Sequence, residues 1–189
     1  NDDYWNESLE GIGEGWLPVG IYDEYENASS FNTRFNGNGH VIKNLTINRP
    51  EKYYVGLFGS VNNSYIENLV ISGPLTEVLG YSEIGALVGK LSNSKIQNIV
   101  VAARVQGRNH LGGVAGSGTD SSLENIFVSG SVIGNNAVGG LIGALNNSDL
   151  EVARIDYEYY TLSSIVNVVS SSVVSGNGYE IGGLIGVFY

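Results

Sequence analysis

The residues best suited to chemistry form a short run of acids and aromatic rings, Asp156-Tyr157-Glu158-Tyr159-Tyr160. In an extended chain, their alternation would place the two carboxylates on one side and the first two rings on the other. Tyrosine rings offer a large contact area at low entropic cost to a sugar or to a protein surface. The acids could accept hydrogen bonds from hydroxyl groups, or form a weak oxygen site for calcium. We therefore predict that this run contacts a ligand, without a resident metal or cofactor.

No sequence pattern is typical of a catalytic centre. Polysaccharide-cleaving β-helices need clustered carboxylates, whereas the acids of this chain are scattered along it. The sequence contains neither a His-Glu-x-x-His zinc motif nor a Gly-x-Ser-x-Gly nucleophile elbow. The two histidines, His40 and His110, each adjoin a predicted turn and do not make a metal site. We predict that the chain is not an enzyme.

A sequence repeat must position the acidic and aromatic run. A glycine-rich stretch occurs five times, at intervals of 30, 27, 27 and 43 residues. An asparagine stands nine residues beyond the last glycine of each of the first three stretches. Two elements held in register over three intervals indicate a repeat protein. The last glycines of the five stretches are Gly59, Gly89, Gly116, Gly143 and Gly186.

The repeat predicts the fold class. About 27 residues per unit divide into three short strands, and no helical periodicity lies between them. A propeller blade would need four strands and about 40 residues. We therefore predict an all-β fold, a parallel β-helix (β-solenoid) with about three short strands per coil of roughly 27 residues. Successive coils would stack about 4.8 Å apart.

Two columns of residues are predicted to be structural. The glycines would lie where the chain bends, because a Cβ there would clash or require a positive φ. The asparagines would form an inward-facing ladder at a corner, since asparagine tolerates the left-handed conformation and stacked amides can bond along the axis. A ligand-binding role for these amides is the alternative. The asparagine column comprises Asn44, Asn68, Asn98, Asn125 and Asn167.

The residues that follow the asparagines should alternate between core and surface. The first residue after each asparagine should be inside, namely Leu45, Leu69, Ile99, Ile126 and Val168. The second should be outside, namely Thr46, Val70, Val100, Phe127 and Val169. This outer column is apolar, which predicts that a neighbour or an inserted loop covers it. A further inner column should precede the glycines, namely Tyr54, Ile84, Leu111, Val138 and Ile181.

The chain divides into an N-terminal cap, 1–30, and a β-helical repeat region, 31–189. The cap holds eight of the nineteen acids and both tryptophans, and its segment from Trp16 to Gly20 would plug the open core. In the fourth unit the asparagine follows Gly143 by 24 residues instead of nine, which indicates an insertion at about 152–166. Solenoid insertions often map to a binding face. The alternative is a long strand or arm that packs over the outer apolar column.

Composition limits the partners. Nine basic and nineteen acidic residues give a net charge of −10, which repels phosphate backbones, so we predict no nucleic-acid partner. No apolar run approaches the roughly 20 residues of a spanning helix, so no membrane span is expected in this segment. Cysteine and methionine are absent, and we expect a processed chain or part of a longer one. The last glycine-rich stretch begins a coil that it does not finish, which predicts end-to-end association.

The repeat resembles the GLUG motif. The Gly-Gly-Leu-Ile-Gly stretches and the following Ile-x-Asn-x-x-Val match it over about residues 16–189, and the segments Trp16 to Gly20 and Phe35 to Leu45 are similar to its usual lead-in. The long fourth unit departs from the motif. This family occurs in bacterial surface proteins, large adhesins and the non-peptidase regions of IgA-protease-type metallopeptidases. The resemblance implies an exported, extracellular segment at the bacterial cell surface, and it supplies no catalytic residues.

Three functions are therefore open. The chain is a stalk or ligand-presenting β-helix of an adhesin, and its partner is a host or neighbouring-cell surface protein or glycan. Alternatively, it is the non-peptidase region of a secreted metallopeptidase. The third reading is a carbohydrate-binding or carbohydrate-cleaving β-helix. A distal His-Glu-x-x-His in the full-length gene would favour the second reading, and a wall or membrane anchor would favour the first.

Overall fold

The computed structural model describes residues 13–20, 29–146 and 164–189, which form a parallel β-solenoid without an α-helix in those ranges. The predicted all-β, parallel β-helical fold is confirmed. The strands in chain order are β1 (Arg34–Asn36), β2 (Val41–Lys43), β3 (Thr46–Asn48), β4 (Tyr53–Val55), β5 (Phe58–Asn62), β6 (Tyr65–Ser72), β7 (Glu77–Leu79), β8 (Ser82–Gly85), β9 (Val88–Ser92), β10 (Lys95–Gln106), β11 (Asn109–Gly112), β12 (Ala115–Thr119), β13 (Ser122–Gly134), β14 (Asn136–Gly139), β15 (Ile142–Asn146), β16 (Ser164–Ser170), β17 (Val173–Gly176), β18 (Ile181–Gly182) and β19 (Ile185–Phe188).

Each coil contributes to three parallel sheets. Sheet A contains β1, β2, β3, β6, β7, β10, β13, β16 and β17, sheet B contains β5, β9, β12, β15 and β19, and sheet C contains β4, β8, β11, β14 and β18. The chain passes from sheet A to sheet C and then to sheet B. In the regular coils the sheet A strand is long, with 12 residues in β10 and 13 in β13, whereas the other two have four or five. The coil is therefore one long edge and two short ones.

Aliphatic side chains fill the inside of the coil. The inner column that follows the asparagines is confirmed, with Leu69, Ile99 and Ile126 at most 2% exposed. Val168, in the last described coil, is half-buried. Burying one such Leu or Ile side chain contributes roughly 1.5–3 kcal/mol. The repeat therefore owes its stability to this stack of apolar side chains.

The inner column before the glycines begins one residue later than predicted. Val55, not Tyr54, pairs with Ile84, and Val55 is fully buried. Tyr54 instead has a left-handed backbone with a φ of 56°. Such a residue breaks the inside–outside alternation of a strand, which is why a regular alternation misplaces it. The same conformation recurs in each later coil at Glu83, His110, Ala137 and Glu180.

The last glycine of each repeat packs against backbone of a neighbouring turn. A Cβ built on Gly116 would lie 2.3 Å from both the carbonyl carbon of Glu83 and the nitrogen of Ile84. Gly143 approaches the backbone of His110 and Leu111 in the same way. The predicted steric clash is thus present. The other predicted reason for glycine, a positive φ, does not apply at these positions. None of the five last glycines has a positive φ, namely Gly59, Gly89, Gly116, Gly143 and Gly186.

Residues 13–20 cover part of the N-terminal edge. The backbone N–H of Trp16 donates to the oxygen of Thr46 at 2.9 Å, and its indole N–H donates to the oxygen of Leu57 at 3.0 Å. Trp16 packs against the core and Pro18 is buried, whereas Leu17 and Val19 are exposed. Only part of the predicted plug therefore enters the core. Of the cap predicted at 1–30, residues 1–12 and 21–28 lie outside the described residues.

The insertion lies between β15 and β16. Ile165 and Val166 pair with Leu123 and Glu124, so the last residues of the predicted range 152–166 belong to sheet A. A regular corner between sheets B and A has two residues, as at Asn93-Ser94. In the fourth unit, residues 147–163 take that place and lie outside the described residues.

Candidate functional site

The predicted binding residues lie outside the described residues; these are Asp156, Tyr157, Glu158, Tyr159 and Tyr160. The described chain on either side ends at Asn146 in sheet B and resumes at Ser164 in sheet A. Both ends of the segment therefore lie at the corner where sheet B passes into sheet A. The outer face of sheet A begins at this corner, and its side chains are the first candidates for a functional surface.

A ladder of asparagine amides runs across sheet A. Asn98 donates from Nδ2 to Oδ1 of Asn68 at 2.9 Å. Asn125 donates to Asn98, and Asn167 donates to Asn125, each at 3.1 Å. All four residues have a left-handed backbone, with φ between 52° and 57°. The amides thus bond along the solenoid axis from coil to coil.

The predicted inward orientation of this ladder is wrong. Asn98, Asn125 and Asn167 are exposed, and Asn68 is half-buried. The neighbouring residues explain the orientation, because Ile66 and Leu69 both point into the core although they are three residues apart. A strand that is inside at both positions must accommodate one extra residue between them, and the left-handed asparagine is that residue. The amide therefore projects from the outer surface.

Asn44 does not belong to the ladder. Residues Val41 to Lys43 pair with Val70 to Ser72, so Asn44 lies beyond the end of β6. Its Oδ1 accepts a bond from the N–H of Leu75 at 3.3 Å. Asn36 supplies the first rung instead, because its Oδ1 accepts from Nδ2 of Asn68 at 3.2 Å.

An exposed apolar stripe lies beside the ladder. The predicted outer column is present, with Val100 37%, Phe127 44% and Val169 56% exposed. In the first coil the column contains Val41 and not the predicted Thr46, because Val41 pairs with Val70. The stripe is thus Val41, Val70, Val100, Phe127 and Val169, in register across neighbouring coils.

A buried serine ladder at the corner between sheets B and A was not predicted. The N–H of Ser64 donates to Oγ of Ser94 at 2.9 Å, and the N–H of Ser94 donates to Oγ of Ser121 at 3.1 Å. The three side chains are 8%, 7% and 1% exposed. The sequence signal is the pair Asn-Ser or Asp-Ser directly before β6, β10 and β13, at the repeat interval. It was missed because serine is common at turns.

Ion pairs line the outer face of sheet A. Lys95 contacts Glu124 at 2.7 Å and Arg104 contacts Glu77 at 3.2 Å. Arg34 donates from Nε to Glu67 at 3.0 Å. The hydrogen bond to Glu67 raises the pKa of Arg34, and the bond to Glu124 likewise raises the pKa of Lys95.

The charge of the chain is unevenly distributed. Eight acids and eight bases lie in the described ranges, whereas residues 1–12, 21–28 and 147–163 hold eleven acids and one base. The solenoid itself is therefore close to neutral, and the net charge of −10 resides in those three segments.

A cavity of about 840 Å³ opens at the N-terminal end of the solenoid. Trp16, Ile42, Leu45 and Leu57 supply much of its apolar wall, and Lys43 is among its charged residues. Within the described ranges, no group of three or more His, Cys, Asp or Glu residues could hold a metal ion. Those ranges also contain no helix that is long and apolar enough to cross a membrane.

Two known proteins share part of this sequence. Over 83 residues, 43% of the chain, it is 39% identical to a protein of Evansella cellulosilytica named as a Gly-rich membrane protein. Over 97 residues, 50% of the chain, it is 33% identical to halomucin of Haloquadratum walsbyi. The chain spans only 9% and 1% of the lengths of these relatives. No protein-family model and no solved structure matches it. The GLUG resemblance therefore stays a prediction.

Proposed function

We propose that this chain is a non-catalytic segment of a cell-surface protein, in which the solenoid acts as a stalk or ligand-presenting rod. The stacking of the coils carries the proposal. Strands pair with their equivalents in the neighbouring coils. Each coil therefore adds about 4.8 Å of length, and coils can be added without altering the packing of distant ones.

The relatives support a surface location. Both contain the matching stretch as a small part of a much longer chain. One is named as a membrane protein and the other as halomucin. Repeated, neutral, rod-forming coils suit a spacer that holds other parts of a long protein away from the cell. The GLUG resemblance points to the same extracellular location.

The outer surface favours presentation over catalysis. Carboxylates of sheet A are paired with cations, as in Glu124 with Lys95 and Glu77 with Arg104. Polysaccharide cleavage instead needs two carboxylates that face one bond. The continuous features of the described surface are the asparagine ladder and the apolar stripe, and both repeat from coil to coil. Such surfaces suit a partner that lies along the axis, such as a protein or glycan of a neighbouring cell.

The surface location is tested with antibodies against the 189-residue chain. We expect labelling of intact, unpermeabilised cells and loss of the label after brief protease treatment. Labelling only after lysis would contradict the proposal. A full-length gene with a distal His-Glu-x-x-His motif would instead favour the metallopeptidase reading.

The rod property has its own test. Three extra copies of the 27-residue coil 96–122, inserted after Ser122, should lengthen the particle by about 14 Å. Small-angle X-ray scattering measures this length, and the melting temperature should not fall. A more globular particle, or loss of the fold, would contradict a coil-by-coil solenoid.

A further inference from the structure

We propose that Lys52, Tyr53, Tyr81 and Arg108 form a binding site for an acidic polysaccharide. They lie at the corner where sheet A passes into sheet C, in three consecutive coils. This corner does not include the asparagine ladder or the apolar stripe, and it is not the corner between Asn146 and Ser164 at which the fourth-unit insertion is attached. The site is independent of the stalk function, which would hold with or without it.

Backbone hydrogen bonds place three of these residues in one column. The N–H of Tyr81 donates to the oxygen of Lys52, and the N–H of Arg108 donates to the oxygen of Tyr81, each at 2.8 Å. Their side chains therefore lie on consecutive coils about 4.8 Å apart. The order along the axis is cation, ring, cation.

Tyr53 extends this column sideways. Its ring centroid is 5.0 Å from that of Tyr81, and the residue is 55% exposed. An exposed ring offers an apolar face, on which the C–H groups of a sugar ring can pack, and a hydroxyl that can bond to its hydroxyls. The two tyrosines therefore form an aromatic surface between the two cations.

Arg108 is held in position by a ring instead of an acid. Its guanidinium carbon lies 5.6 Å from the ring centroid of Tyr81, and Nη1 donates to the Tyr81 hydroxyl at 2.9 Å. Arg34, Arg49 and Arg104 each have a carboxylate partner, whereas Arg108 has none among the described residues. A guanidinium fixed by stacking, with donors that none of the described carboxylates satisfies, is suited to bind an incoming carboxylate or sulfate.

The spacing of the cations indicates the kind of polymer. Lys52 is exposed and, within the described ranges, also lacks an ion pair. It lies two coils from Arg108, about 10 Å along the axis, which is close to the length of one disaccharide. A glycan with one acid per disaccharide could therefore place successive acids at both cations and a sugar ring at the tyrosines. A nucleic acid fits less well, because its phosphates follow one another about every 3.4 Å along a strand, much closer than the two cations.

The test is a titration of the 189-residue chain with a hyaluronan octasaccharide at low salt, in which NMR and calorimetry measure binding. We expect binding of this probe and none of a neutral chitin tetrasaccharide. Arg108→Gln should weaken binding about tenfold or more, because the charge-assisted hydrogen bonds to the acid of the glycan are lost. Arg108→Lys, which keeps the charge and loses the planar fork, should lie between. Tyr81→Phe should weaken binding severalfold without changing the net charge.

Arg104→Gln is the matched control, because Arg104 is an exposed arginine four residues away that is already paired with Glu77. We expect it to change the affinity by less than about twofold. An equal loss with Arg104→Gln and Arg108→Gln would show unspecific charge attraction and overturn the proposal. Binding of polyglutamate as tight as that of the glycan would overturn it in favour of an acidic peptide. Absence of glycan binding to a correctly folded chain would also overturn it.

Discussion

Asn98 donates a hydrogen bond from its side-chain amide to that of Asn68 in the preceding coil, and both residues have a left-handed backbone. Two requirements therefore meet at each rung. The residue must tolerate a positive φ, and its side chain must both donate and accept along the axis. Asparagine meets both requirements. Burial of the side chain is not required, because the side chain of Asn98 is exposed.

Asn98→Ala should lower the free energy of unfolding by about 1–3 kcal/mol, because alanine is strained in the left-handed conformation and the amide bonds are lost. Asn98→Gly should cost less than Asn98→Ala, because glycine adopts this conformation freely and only the amide bonds are lost. Urea unfolding followed by circular dichroism compares the two. Equal losses would show that the backbone conformation contributes nothing.

Periodicity predicted the coil and most of its core, because apolar residues such as Leu69 and Ile99 recur at the repeat interval and point inward. It failed wherever a left-handed residue breaks the alternation. Asn68 and Tyr54 are two such positions. A two-residue alternation does not reveal the backbone conformation of a single residue, so it predicts the wrong orientation for the ladder and the wrong column for Tyr54.

Other errors arise from pairing between distant residues. The segment from Ile42 to Leu45 has the same local pattern as that from Ile66 to Leu69, so Asn44 looks like a rung. Only the pairing of Val41 with Val70 shows that it lies further along the coil. The contact of Tyr81 with Arg108 is equally invisible locally, because 27 residues separate them and the register brings them together.

Gly116→Ala should destabilise the chain by about 2–3 kcal/mol or prevent folding, because the new methyl group would overlap backbone atoms of Glu83 and Ile84. Gly183→Ala is the matched control from the same motif, since a Cβ there has no atom within 4 Å. We expect it to melt like the parent. Thermal unfolding and soluble yield measure both variants, and similar losses would contradict the steric explanation.

Ser121→Ala should cost about 1–3 kcal/mol. It removes the Oγ that accepts from the N–H of Ser94 and donates to the oxygen of Thr119, and Ser121 is only 1% exposed. Ser122→Ala is the neighbouring control, because Ser122 is half-buried and makes no side-chain hydrogen bond among the described residues. Denaturant unfolding compares the pair. The buried serine ladder would be unimportant for stability if both variants unfolded at the same denaturant concentration as the parent.

The Lys95–Glu124 pair should stabilise the chain at neutral pH and lose its effect in alkali. The hydrogen bond to Glu124 raises the pKa of Lys95 in the folded state above its ordinary value of 10.5. The stabilisation is therefore fully present below pH 10.5 and is lost as the pH rises through the higher folded value. Lys95→Gln should melt below the parent at pH 8, and the difference should shrink above pH 10.5. A difference that stays constant with pH would contradict the ion pair as its source.

Removal of residues 149–163 should restore a regular corner in the fourth unit. Asn147-Ser148 would then precede Ser164 directly, as Asn63-Ser64 precedes Tyr65. We expect the melting temperature to change by only a few degrees, because the solenoid coils on either side already pair through β13 and β16. If the insertion contacts the ligand, binding to partner cells should be lost.

The control keeps the length of the segment and replaces only the predicted binding residues with serine; these are Asp156, Tyr157, Glu158, Tyr159 and Tyr160. It should reproduce the loss of binding, because the contacts and not the length of the insertion are expected to matter. Cell-binding assays at equal amounts of folded protein measure both variants. A large fall in melting temperature, with binding reduced only in proportion to the folded fraction, would instead show that the segment stabilises the solenoid by packing on it.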